Sequence, residues 1–132
     1  MHTLILGLAA LLCGMLPVVA QQRERIDAPI KIGGDSKFDA CESTGQVVGL
    51  NPRGDGFLSV QCGPGGRPFR EIDRLFNSNQ VYICGEVGPW LAVVYPAGRD
   101  CGVSTPWVIR QPYTGPCRYG WVHSRYIRGV AS

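Results

Sequence analysis

Lysine and histidine are nearly absent from this 132-residue chain. Only two of its 13 basic residues are Lys, and it has two His. The net charge of +3 is too weak a balance for a nucleic-acid binder. The first 20 residues hold no Lys, Arg, Asp or Glu, so every formal charge lies in the rest. There is no C-x-x-C pair to anchor zinc. Gly63, Gly65 and Gly66 are not followed by Lys-Ser/Thr, which excludes a phosphate-cradling loop. Against these absences stand 18 Gly and 10 Pro, which interrupt helices and favour short strands joined by turns. A chain with roughly 100 residues for its core is marginally stable and is often stapled covalently. Six cysteines are available for that purpose.

Residues 3–20 are uncharged and mostly Leu, Ala and Val, broken by Pro17 and ending in Val18-Val19-Ala20. This pattern predicts a secretory signal peptide over 1–20, cleaved after Ala20. The alternative is an uncleaved anchor, since the stretch just suffices to span a bilayer. Residues 21–40 are polar, mix both charge signs and include Gly33-Gly34. Ordering them costs more entropy than their few apolar groups return, which predicts a flexible leader.

From residue 46 onward, apolar runs alternate with Gly, Pro and Asn clusters. Five runs have strand length: 46–50, 57–62, 80–84, 90–95 and 119–124. They predict an all-β fold, a small barrel or sandwich. Alternation puts Leu58, Val60 and Cys62 on one face, as it does Val81 with Ile83 and Leu91 with Val93, while Val122 opposes Trp121 and His123. Residues 70–76, between Pro68 and Asn77-Ser78-Asn79, leave room for a short irregular or helical piece.

Gly120-Trp121-Val122-His123-Ser124-Arg125-Tyr126-Ile127 resembles the closing signature of bacterial SH3-like (SH3b) domains. Phe57-Leu58-Ser59-Val60-Gln61-Cys62-Gly63-Pro64-Gly65 is similar to that family's strand and Gly-Pro-Gly turn, and Gly88-Pro89-Trp90-Leu91-Ala92-Val93 to its Gly-Trp strand, with Pro89 intruding. The three motifs keep the family's order over residues 46–128. The resemblance implies a five-stranded, half-open antiparallel barrel over 41–128, followed by a tail at 129–132. It also implies a binding or targeting role in exported bacterial proteins, often at the cell wall. Where the family has a short hairpin, this chain has 23 residues, 96–118, that include Cys101 and Cys117. A connection this long usually has a function of its own. A disulfide closing its 17-residue ring would contribute about 3 kcal/mol.

Once Cys13 leaves with the signal, five cysteines remain, and any four allow three pairings. Face parity favours one of them. Cys62 shares the core side of Leu58 and Val60, whereas Cys84 opposes Val81 and Ile83 and points outward, where Cys41 of the leader can reach it. Cys41–Cys84 and Cys101–Cys117 are therefore expected, with Cys62 left as a buried thiol that acts as a small hydrophobe.

Residues 51–56 outline a calcium loop, but Arg53 stands where a ligand oxygen is required. His123, the sole imidazole after cleavage, has no serine in an elbow motif beside it, and Glu71 with Asp73 form a solvated polar piece. No enzyme and no cofactor are expected.

The remaining constellation is aromatic. Trp90 faces away from Leu91 and Val93, as Trp121 and His123 face away from Val122. The resemblance puts these, with Tyr126, near a groove suited to peptide or sugar contact. The competing reading makes Trp90 and Trp121 a peripheral lid on the barrel. His123 stands where the proline-binding version of the fold has a proline, so polyproline recognition does not transfer. The insert adds Trp107, Arg110 and Tyr113, the composition of an interface hot spot. Six Arg against two acids over residues 74–128 suit an anionic partner. The expected protein is a periplasmic or secreted recognition module, bound to neither nucleic acid nor, after cleavage, membrane. Its partner is a peptidoglycan peptide or glycan, or a periplasmic protein. The alternative is a secreted inhibitor or immunity-type protein acting through 96–118.

Overall fold

The structure is a computed structural model that describes residues 27–131. The expected signal peptide and residues 21–26 of the expected leader lie outside the described residues. The fold is all-β. In chain order the strands are β1 (Lys31–Ile32), β2 (Ser43–Val47), β3 (Leu58–Gln61), β4 (Glu71–Leu75), β5 (Gln80–Val87), β6 (Trp90–Tyr95), β7 (Gln111–Pro112), β8 (Arg118–His123) and β9 (Ile127–Ala131), with a 3-10 turn at Ser124–Tyr126 before the last. Seven of them form one antiparallel sheet in the order β4-β3-β8-β6-β5-β2-β9, while β1 pairs with β7 alone. Among the described residues no ladder joins β4 to β9. The sheet is thus open and seven-stranded where five strands closing toward a barrel were expected.

Two apolar cores lie on the two faces of this sheet. One collects Val47, Leu58, Val60, Leu75, Val81, Val93, Tyr95 and Val122, drawn from strands as distant in the sheet as β2 and β4. The sheet curls around this cluster, and the expected inward sets of β3, β5, β6 and β8 belong to it, with Ile83 and Leu91 packed at its edge, except for Cys62, which is buried but lines the cleft beside Asp27–Pro29 instead. The other face carries Ala92, Val94 and Trp121, covered by Ile30, Ile32, Val103, Tyr113 and both buried ends of the Cys101–Cys117 bridge. Strand β6, an unbroken apolar run, is apolar because both of its faces are covered.

This second core corrects the reading of the leader. Ile30 and Ile32 are 1% and 0% exposed. The chain there is held by β1 against β7, by the Ala28 N–H donating to the Cys62 carbonyl (2.9 Å), and by Tyr113 N–H donating to the Ile30 carbonyl (2.8 Å). Two isoleucines, too few to order a free segment, suffice when the sheet and the insert present an apolar surface to them. Residues 70–76 are corrected as well. Strand β4 pairs with β3 from Leu58↔Leu75 to Gln61↔Glu71, so the segment is extended because an edge strand needs only one apolar face. The expected tail likewise continues in β9, paired with β2.

Both expected disulfides are present, Cys41–Cys84 and Cys101–Cys117. The ladder between β5 and β6 skips Cys84, which lies in a bulge between Ile83 and Gly85. Cys84 packs with Tyr82 on the leader side of the sheet, opposite Val81 and Ile83, as alternation places it. Cys62 is buried, belongs to neither bridge, and its Sγ accepts the Arg70 N–H at 3.3 Å. At the crossing of β3 and β8 the strands approach so closely that a Cβ on Gly120 would overlap Val60 Cγ1.

Candidate functional site: an aromatic cleft at the end of β8

Strand β8 ends at His123, and there the chain makes its 3-10 turn. His123 caps that turn: its Nδ1 accepts the Arg125 N–H at 3.1 Å. Cross-strand pairing sets Trp90 of β6 opposite His123, and the rings meet edge to face, 5.4 Å between centroids. Tyr126, in the same turn, lies beneath the Arg125 guanidinium (5.7 Å). Opposite them, loop 49–57 and strand β3 contribute Asn51, Asp55, Phe57, Ser59 and Gln61, closing a cleft of about 360 Å³.

A chain of hydrogen bonds stiffens the β3 wall. Arg74 Nε donates to Glu71 Oε1 (2.6 Å), Ser59 Oγ donates to Glu71 Oε2 (2.6 Å), and Gln61 Nε2 donates to Ser59 Oγ (2.7 Å). The Ser59 hydroxyl and then the Arg74 guanidinium hold the Glu71 carboxyl below the ordinary carboxylate range, so it accepts from both. Arg74 also lies over the Phe57 ring at 3.9 Å.

Of the seven residues expected to bind a ligand, the structure brings Trp90, His123 and Tyr126 into this cleft. The other four lie elsewhere. Trp121 is 7% exposed, and its Nε1 donates to the Ala28 carbonyl. Tyr113 is buried too; its hydroxyl donates to the Cys101 carbonyl (2.7 Å), accepts the Cys117 N–H (3.1 Å), and its ring stacks on Trp107. Trp107 in turn donates through Nε1 to the Gly102 carbonyl (2.8 Å). These three hold the insert and leader in place. Arg110 lines a separate cleft with Asp35, Asp39, Glu42 and Glu86.

A larger cleft, about 770 Å³, opens between Asp27–Pro29 and the β4–β8 side of the sheet. Its polar centre is already internally matched. Asp73 accepts from the Arg74 N–H, the Tyr95 hydroxyl and Arg118 Nη1. Partial burial pushes the Asp73 carboxyl up, but these three donors outweigh it and hold it below the usual range. Burial, and then that carboxylate, push the Tyr95 phenol well above its ordinary value. The smaller aromatic cleft is the better candidate because it gathers Trp90, His123, Tyr126 and Phe57 around the polar side chains of Asn51, Asp55, Ser59 and Gln61.

No group of three or more metal-ligating side chains occurs among the described residues. The roles of Ser59, Gln61, Asn51 and Asp55 were not foreseen. Parity did set Ser59 and Gln61 opposite the Leu58–Val60 face, but the pairing of Gln61 with Trp121 that brings them beside His123 is a long-range contact. No protein-family model, curated protein or solved structure matches the chain.

Proposed function

We propose that this chain is an exported, non-catalytic recognition module that binds a cell-wall peptide or glycan, or a periplasmic protein, in the cleft of Trp90, His123 and Tyr126. The observation that carries the reading is the convergence of three aromatic rings on polar side chains, the composition of small binding sites. The order of elements supports an SH3-like kinship: β2, β5, β6 and β8 neighbour or follow one another through the sheet, and a 3-10 turn separates β8 from β9. Two disulfides suit an oxidising compartment, periplasmic or extracellular. No helix among the described residues is long and apolar enough to cross a membrane.

Co-sedimentation of the oxidised chain starting at Gln21 with purified cell-wall sacculi tests this. Trp90→Ala with Tyr126→Ala is expected to weaken binding at least ~30-fold, the scale of a lost aromatic hot spot, while Trp107→Ala retains groove affinity in protein that remains folded. The second reading, inhibition of a secreted enzyme through the insert, draws on Val108 and Ile109, which are 67% and 72% exposed at its tip. Loss of binding on Val108→Ser with Ile109→Ser, and none on the Trp90 change, would decide for it.

A further inference from the structure

The neighbours of Gln61 set the polarity of its amide. Ser59 gives its only proton to the Glu71 carboxylate, so its oxygen can only accept, and Gln61 must offer it an Nε2–H. The Gln61 carbonyl oxygen is the end left for the cleft. His123 is polarised the opposite way. Its Nδ1 accepts the Arg125 N–H, so the neutral ring carries its proton on Nε2. The cleft thus holds one oriented acceptor and one oriented donor beside the Trp90 indole. Their complement is a secondary amide, with its N–H toward Gln61 Oε1 and its C=O toward His123 Nε2. Asp55 is the sole carboxylate lining the cleft, and it has no hydrogen bond or ion pair among the described residues.

We infer that the cleft binds a short cationic peptide, one backbone amide held between Gln61 and His123 against Trp90 and its ammonium group paired with Asp55. This rests on the recognition-module reading, narrows it, and replaces the expectation of an anionic partner, because the one charged side chain lining the cleft is the Asp55 carboxylate. An N-acetyl sugar offers the same amide, and its hydroxyls can donate to Asp55, but it brings no positive charge to balance that carboxylate, so charge complementarity favours the cationic peptide. Ser59 and Glu71 act as positioning residues, because they determine which end of the Gln61 amide faces the ligand.

The probes are N-acetyl-Ala-Lys-Ala-N-methylamide, a series in which each of its amides in turn is replaced by an ester, its norleucine analogue, and the trimer of N-acetylglucosamine. Binding is followed by calorimetry and by the Trp90 indole N–H resonance of the wild-type protein, so no variant need fold for the main result. The parent peptide is expected to shift that resonance. One ester is expected to bind about 3–10-fold more weakly, the scale of one lost hydrogen bond, and norleucine about 2–5-fold more weakly, the scale of an exposed ion pair. In Gln61→Ala the ester penalty falls below about twofold, and in Asp55→Asn the lysine preference disappears. If every ester binds like the parent, the oriented-amide inference is overturned. A Trp90 response to the sugar trimer equal to or greater than that to the peptide overturns the peptide assignment yet leaves the recognition groove standing. Silence of Trp90 toward all probes, together with no sacculus binding, overturns both readings.

Discussion

The indole nitrogen of Trp121 donates a 2.9 Å hydrogen bond to the carbonyl of Ala28, joining residues 93 positions apart. That bond ties the last long strand to the first described turn of chain, and it explains why a tryptophan in a ligand-site motif is part of the second core. Trp121→Phe keeps most of the apolar volume and removes the donor. It is expected to lower unfolding stability by about 1–2 kcal/mol, the cost of leaving a carbonyl unsatisfied, with groove affinity unchanged. Urea denaturation of both proteins, read as a midpoint shift at constant slope, checks this.

Ile30 and Ile32 contribute core packing. Each truncation to Ala is expected to lower stability by about 2–5 kcal/mol, measured by thermal or urea unfolding. A change below about 0.5 kcal/mol, the scale of an ordinary surface substitution, would return residues 27–40 to the status of a spacer.

The two disulfides close loops of different length, 43 and 16 residues apart. Replacing Cys41 and Cys84 by Ser is expected to remove about 4 kcal/mol, and replacing Cys101 and Cys117 about 3 kcal/mol. Because no residue of 96–117 lines the aromatic cleft, the second double variant should keep its groove affinity at temperatures where it remains folded. Calorimetric unfolding and a binding titration on the same samples separate the two effects.

Asp73 makes stability depend on acid. Its carboxyl is held below the ordinary value in the folded protein, so its contribution is complete above about pH 4, where the unfolded group is also ionised. That contribution is lost as pH falls from there through the lower native value. Asp73→Asn should therefore be less stable than wild type at pH 7 and lose less between pH 4 and pH 2. Parallel unfolding curves for the two proteins over that window would show that the carboxylate does not act through its charge.

Gly120 is where β3 and β8 come closest. Gly120→Ala drives a methyl group into Val60, which is fully buried and has nowhere to move, at an expected cost near or above the top of the usual ~1–3 kcal/mol for overpacking. Gly129→Ala meets nothing within 4 Å and should be neutral or stabilising by no more than about 1 kcal/mol. Thermal unfolding of the pair distinguishes steric conflict from a general effect of replacing glycine.

Much of the local structure was legible from side-chain order. Strands 80–84, 90–95 and 119–124 appear within a few residues of where alternation put them, at Gln80–Val87, Trp90–Tyr95 and Arg118–His123. The side on which Cys84 lies follows from the same period of two, whereas Cys62 is buried without joining the Leu58–Val60 cluster, since the β3–β4 register shifts after Val60. Strand β4 was missed because its exposed pattern carries Ile72 on the solvent side and so shows no clean alternation. Strands β1 and β7, two residues each, have no pattern of their own and exist only through each other.

The sequence by itself determined the all-β class and the faces of the main strands, and through those faces it narrowed, without fixing, the cysteine pairings. These depend on the alternation of neighbouring side chains, a property local to each strand. Only the tertiary structure decided that the sheet has a core on both sides, that Trp121 and Tyr113 are interior, and that Gln61 and Ser59 sit beside His123. Burial and hydrogen-bond polarity depend on which distant segments cover a face, and that is settled when the leader and the insert pack together over the sheet.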